Sequence, residues 1–297
     1  MDARTQFART AAELVETDDS VALVYAEISG QFFGDVERRH PDRVVNVGIR
    51  EQLLVNVGAG MALTGIRPIV HTFASFLVER AFEQVKLGFG HQDVGGVLVG
   101  SGSSFDMAAA GRTHQSPGDV ALLDTLPDIS IHAPGNAVEV DAALRTTVGG
   151  SGLHYVRVVG QANTDAHPFT PGRFHVVRRG TGATVIALGP VLDDVLAATA
   201  GRDVTVLYAS TVRPFDAAGL RSVLGSPDVV LVEPWLAGTS ARHVAEALRD
   251  RPHRLLTLGV PRAEHRHYGR PEQHLAAHGL DAPGIASALE RFLRPAA

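Results

Sequence analysis

Short runs of β-branched and aliphatic residues recur along the chain, separated by stretches of helical length and period. In the first half these runs are VALVYA (21–26), RVVNV (43–47), RPIVHTF (67–73), GVLVG (96–100), DISIHA (128–133) and LHYVRVV (153–159). Most are apolar throughout rather than alternating, which marks strands covered on both faces and therefore a mostly parallel sheet with helices on either side. The polar, Pro/Gly-rich stretch GQANTDAHPFTPGRFH (160–175) interrupts the pattern as a linker does. The alternation then restarts with ATVIALG (183–189), DVTVLYA (203–209), DVVLVE (228–233) and HRLLTLG (253–259), and closes with the helical APGIASALERFL (282–293). The pattern predicts an α/β protein of two domains, each a mostly parallel sheet covered by helices: residues 1–165, a linker over 166–175, and 176–297.

Composition narrows the function classes. A chain of 297 residues with 45% apolar and 20% charged residues can bury two cores. Its N-terminal stretch is amphipathic and interrupted by charge, unlike a signal peptide or a membrane span, so a cytoplasmic protein is expected. There is no cysteine, which excludes disulfides, thiolate metal sites and cysteine nucleophiles. The net charge of −5 carries no nucleic-acid footprint. Lys86 is the only lysine, so a Schiff base could form nowhere else.

Open parallel sheets bind ligands beyond the carboxyl ends of their strands. Three consecutive strand ends carry candidate chemistry. Glu51 follows RVVNV through a glycine turn and opens a helix. Phe76 follows RPIVHTF. His114 lies in the glycine- and serine-rich loop SGSSFDMAAAGRTHQSPGD after GVLVG. Singly, each has a plain reading: a carboxylate complementing a helix dipole, a core aromatic, a solvated loop histidine. Together they form a site-like constellation. Gly58, Ala59 and Gly60 sit mid-helix, where each glycine costs about 1 kcal/mol relative to alanine, and so predict close packing, against a symmetry mate or partner subunit. His265, His267, His274 and His278 form a second cluster. His274 and His278 have helical i, i+4 spacing, but no carboxylate base adjoins them, and a solvated loop is the preferred reading over a metal site.

The stretch PDRVVNVGIREQLLVNVGAGMALTGIRPIVHTFASFLVERAFEQVK resembles the pyrimidine-binding domain of transketolases and deoxyxylulose phosphate synthases, and GRTHQSPGDVALLDTLPDISIHAPGNAVE continues the resemblance in register. STVRPFD and YGRPEQHLAAHGLDAPGIASAL look like the C-terminal domain of the same family. The resemblance implies thiamine diphosphate chemistry. Glu51 would hydrogen-bond the pyrimidine ring nitrogen and drive the imino form that generates the ylid, and Phe76 would stack on the ring, with Ile49 and Phe82 lining the pocket. His114 would act on substrate oxygen, with Arg112, Gln115 and Arg157 as further substrate-binding candidates. The family's G-D-G motif for diphosphate and Mg2+ is missing. A partner subunit is therefore expected to hold the metal, with this chain as the C-terminal half of a split transketolase in an α2β2 assembly.

Departures from the family concern the substrate. Gly160 stands where the family has a phosphate-gripping arginine, Gly102 replaces a phosphate-binding histidine, and Ala110 replaces an aspartate that reads sugar configuration. Losing charge-assisted contacts argues against ordinary pentose phosphates as acceptors. The expected reaction is transfer of a ketol or acyl unit to an aldehyde or related acceptor. The alternatives are a 2-oxo-acid dehydrogenase β subunit and a non-catalytic regulatory subunit. Trp235 is expected to be exposed, where the family would place a polar residue.

Overall fold

In the computed structural model, which describes residues 1–294, the apolar runs form two sheets. The first contains β1 (Val21–Tyr25), β2 (Val44–Asn46), β3 (Arg67–Phe73), β4 (Gly96–Ser101), β5 (Ser130–His132) and β6 (Leu153–Val158). The second contains β7 (His175–Arg178), β8 (Thr184–Leu188), β9 (Thr205–Ala209), β11 (Asp228–Leu236) and β12 (Arg254–Val260), while β10 (Thr211–Arg213) crosses to the first. The spatial orders are β10-β5-β6-β4-β3-β1-β2 and β12-β11-β8-β9-β7. Every pairing is parallel except β10 with β5 and β7 with β9.

Burial explains the apolar runs. All five residues of β1, β8 and β9 are buried, because helices cover both faces. The two antiparallel strands were not among the runs singled out in the sequence. Both are short, and each carries an arginine, so neither reads as an apolar run. Their placement changes the domain picture, because β10 leaves the second half of the chain to finish the edge of the first sheet.

The segment between the sheets is pinned rather than loose. Asn163 donates from its backbone to Gly135 O at 2.8 Å and from its side chain to Gly189 O at 3.2 Å, and accepts from Leu192 N at 3.0 Å. Buried Glu139 accepts from Gly135 N, His167 N and Tyr208 Oη, which joins elements on both sides of it. Expecting a polar linker from composition missed these bonds, because Asn, Thr and Asp serve equally well as solvated spacers and as hydrogen-bonding clasps.

The helix Glu51–Leu63 fixes the first strand-end residue. Gly58 packs inward: a Cβ there would lie 2.4 Å from Val70 Cγ2 on β3, so this glycine serves the chain's own sheet. Gly60 faces open space, and Leu53 and Leu63 are exposed on the same helix. Of the glycines expected to meet another chain, only Gly60 lies on the outward face.

A buried charged pair ties β6 of the first sheet to the short helix Asp119–Leu123. Arg157 on β6 donates to Asp119 from Nε at 2.8 Å and from Nη2 at 3.3 Å, and Tyr155 Oη donates to the same carboxylate at 2.8 Å. Both charged side chains are buried, and a buried charge persists only where its partner and hydrogen bonds replace water. Trp235 of β11 lies against Arg157, with the guanidinium carbon 4.9 Å from the ring centroid. The expectation that Trp235 is exposed is therefore corrected: it is wholly buried, and its indole N–H donates to Glu233 Oε2 at 2.8 Å.

Burial pushes the Glu233 carboxyl up to about 7. Its folded value lies above the unfolded value of 4.5, so the native state holds the proton longer. Glu233 therefore lowers stability progressively as pH rises from about 4.5 to about 7. Trp235 is the only tryptophan, and its emission should titrate with a midpoint near 7. Glu233→Gln should abolish that titration, and the stability of wild type relative to the variant should fall across the same window in urea unfolding. A flat emission profile would contradict the assignment.

Candidate functional site

The carboxyl ends of β2, β3 and β4 converge on one constellation. After β2 the chain turns at Gly48, whose φ of +70° suits glycine, and places Glu51 in the first turn of its helix. After β3 a π-helical turn, Ser75–Arg80, presents Phe76 and Arg80. Such turns are frequent at functional sites. After β4 the loop returns through a kink at Gly111 and delivers His114.

Glu51 is only 2% exposed. Arg80 Nη1 donates to its Oε2 at 2.6 Å, and no other described residue hydrogen-bonds this carboxylate. A helix-start carboxylate kept for the dipole gains about 0.3–1 kcal/mol and needs no burial, whereas burying an ion costs several kcal/mol. The dipole alone does not account for Glu51. The same Arg80 guanidinium lies 4.1 Å from the Phe76 ring centroid, so it spans the gap between the carboxylate and the aromatic face. His114 meets Phe76 edge-on at 5.0 Å and Phe73 at 5.5 Å, and its Nδ1 shares a hydrogen bond of 2.9 Å with Thr113 Oγ1. Glu51, Arg80, Phe76 and His114 thus form one continuous chain of contacts.

The other candidate residues are placed differently. Ile49 is 71% exposed, and Phe82 is half-buried beyond the π-helical turn. Arg112 is exposed and pairs with Glu264 at 3.4 Å and Glu79 at 3.9 Å. Gln115 is buried and donates through Nε2 to His267 O at 3.0 Å. Arg157 is committed to Asp119 and donates from Nη2 to Ser104 Oγ, so its guanidinium serves the fold and does not touch Glu51, Phe76 or His114. The histidine cluster packs around Phe105: His274 stacks at 4.3 Å, His278 at 4.8 Å, and His265 meets it edge-on. Among the described residues, no group of three or more His, Cys, Asp or Glu side chains could hold a metal ion.

Residues 1–161 match the family model "Transketolase, pyrimidine binding domain", and residues 172–285 match "Transketolase, C-terminal domain". The chain belongs to the transketolase family. A protein of Rhodococcoides fascians described as "Uncharacterized 33.6 kDa protein in fasciation locus" is 46% identical over 98% of this chain and 95% of its own length. A subunit of the apulose-4-phosphate transketolase of Actinobacillus succinogenes is 29% identical, covering 90% of each chain. The 1-deoxy-D-xylulose-5-phosphate synthase of Leptothrix cholodnii is 32% identical over 91% of this chain but only 44% of its own length. The solved structure described as "Split gene transketolase, inactive beta4 tetramer" superposes with a TM-score of 0.85 at 25% identity, covering 99% of this chain and 98% of that one. This transketolase-family chain thus spans 90% or more of the two shorter relatives and of the split-gene structure, and less than half of the synthase.

Three residues in or near the site were missed in the sequence. Arg80 lies four positions after Phe76, a helical spacing that places the two side chains together. Tyr268 packs on the His114 loop from the second half of the chain, and its distance in sequence hid it. Asp106 accepts from Gly160 N at 2.8 Å, and its carboxylate fills the space where a side chain on residue 160 would begin. An acid thus stands at the place where the family resemblance implies a phosphate-binding arginine.

Removing Arg80 leaves the buried Glu51 carboxylate without its counterion. Arg80 is itself 41% exposed, so solvent screens the pair, and Arg80→Ala should cost only about 1 kcal/mol in chemical unfolding. Adding Glu51→Gln should recover most of that loss. An Arg80→Ala variant as stable as wild type would show that the pair does not hold Glu51.

Proposed function

We propose that this chain is the pyrimidine-binding half of a two-subunit, thiamine diphosphate-dependent transferase. It would move a ketol or acyl unit to an aldehyde or related acceptor that is not a standard pentose phosphate. The observation that carries this reading is the buried Glu51 carboxylate, linked through Arg80 to the Phe76 face with His114 at the ring's edge. A buried acid beside an aromatic platform fits an aminopyrimidine: the carboxyl hydrogen-bonds a ring nitrogen while the aromatic face takes the ring. The cofactor, when bound, supplies the carbon nucleophile.

This chain's residues would do the rest. Glu51 exchanges a proton with the pyrimidine nitrogen, Phe76 orients the ring, and Ile49 and Phe82 close its rim. Arg80 must release one of its two contacts before a ring can lie between Glu51 and Phe76. His114 supplies a proton or a hydrogen bond to substrate oxygen. Arg112 and Gln115 flank it, Arg112 exposed and Gln115 in place behind. Magnesium and the diphosphate belong to a partner chain bearing the G-D-G motif. The tetramer of the similar split-gene transketolase, described as inactive, supports that need for a partner. Two copies of this chain would meet through the outward face of the helix Glu51–Leu63, where Leu53, Gly60 and Leu63 are uncovered.

The acceptor class follows from Asp106 and Gly160. With a carboxylate in place of a cation, a phosphate there gains no charge-assisted bond, which is worth roughly 1.5–3 kcal/mol. Reconstituted with its partner, the enzyme should turn over a non-phosphorylated aldehyde with kcat/KM at least about tenfold above that of the phosphorylated counterpart. Glu51→Gln should lower turnover by a factor on the order of 10²–10⁴. Efficient use of ordinary pentose phosphates would overturn the acceptor assignment, and an active Glu51→Gln variant would overturn the site.

A further inference from the structure

We infer that the second half of the chain sets the position of His114, and that Tyr268 is the positioning residue. The inference rests on the proposed reading of His114 as a residue that acts on substrate. The loop that carries His114 is closed at its base by a reciprocal pair of backbone bonds, Ser104 N to Ser116 O at 3.0 Å and Ser116 N to Ser104 O at 2.9 Å. At its tip, Gly111 adopts a φ of +71°, and its carbonyl accepts from His114 N at 3.0 Å and from Gln115 N at 3.1 Å. The orientation of this one peptide therefore fixes the backbone from which His114 projects.

Tyr268 covers Gly111. A Cβ on residue 111 would lie 2.5 Å from Tyr268 Cε1 and 2.9 Å from its Cζ, so the ring rests directly on the glycine. Glycine is required there twice over, for its positive φ and for the close approach of the ring. The ring is 69% exposed and is no part of a hydrophobic core. Its neighbours continue the clasp: the carbonyl of His267 accepts from Gln115, and Glu264 pairs with Arg112. The segment 261–270 thus touches the His114 loop at residues 111, 112 and 115, on both sides of the histidine. The imidazole meets Phe76 and Phe73 edge-on, and its Nδ1 bonds Thr113 of the same loop, so its place against the rings follows from where the loop sits. The clasp supplies that constraint.

The test uses the enzyme reconstituted with its partner subunit, in wild type, Tyr268→Ala, Tyr268→Phe and His114→Ala forms. Amide hydrogen exchange over residues 108–116 and steady-state kinetics are measured on each. Tyr268→Ala should exchange faster across that loop and lose about tenfold or more in kcat, with KM within about twofold of wild type, because misplacing a reacting group mainly costs rate. Tyr268→Phe, which keeps the ring, should match wild type in both measurements. Unchanged exchange in Tyr268→Ala overturns the clasp. Faster exchange with unchanged kcat overturns its role in positioning. If His114→Ala keeps full kcat, the fault lies with the reading of His114, while the exchange data report on the clasp independently of turnover.

Discussion

The buried pair of Arg157 and Asp119 holds the site together without belonging to it. Arg157 rises from β6, Asp119 opens the short helix Asp119–Leu123, and Ser104, at the base of the His114 loop, accepts from Arg157 Nη2 at 2.8 Å. Both ends of that loop are therefore moored to one guanidinium. Trp235 lies against the same group from the second sheet, and Ser104 Oγ also donates to Pro234 O. Removing either charge would strand the other in a dry interior, which typically costs about 3–5 kcal/mol. A loop rich in glycine and serine can keep a fixed shape over this anchor because its backbone need not supply the rigidity.

The same logic of compensated charge runs through the site. Glu51 is buried where a carboxylate is expensive, and Arg80 offsets part of that cost while resting on Phe76. The fold converts sheet order into chemistry. β2, β1, β3 and β4 lie side by side, so the residues that follow three of their carboxyl ends join in one chain of contacts. The second half of the chain contributes β10 to the first sheet and the segment 261–270 to the loop above it. Its role thus reaches the site itself.

Much of this architecture was legible in the sequence. The buried parallel strands announced themselves as continuous apolar runs, and the helix over 282–293 began and ended where its pattern said. The strands β7 and β10 were not legible, because short antiparallel edge strands take polar residues freely. Arg157 read as a free cation because its partner lies 38 positions away and no local pattern couples them. Trp235 was expected to be exposed, where the family would place a polar residue, whereas β11 runs on through it into the core. Strand-end logic brought Glu51 and Phe76 to one place, but the cation between them was overlooked. The family resemblance pointed to an absent clamp at residue 160, and only the structure showed the acid that fills its place.

The central claim is that Glu51 belongs to a cofactor site completed by another chain. The most direct measurement is a calorimetric titration with thiamine diphosphate and magnesium, performed on this chain alone and on its mixture with a co-expressed chain bearing the G-D-G motif. Binding in the mixture, absent from this chain alone and abolished by Glu51→Ala, is the predicted result. Binding in the mixture that survives Glu51→Ala unchanged, or none in either sample, would contradict the account.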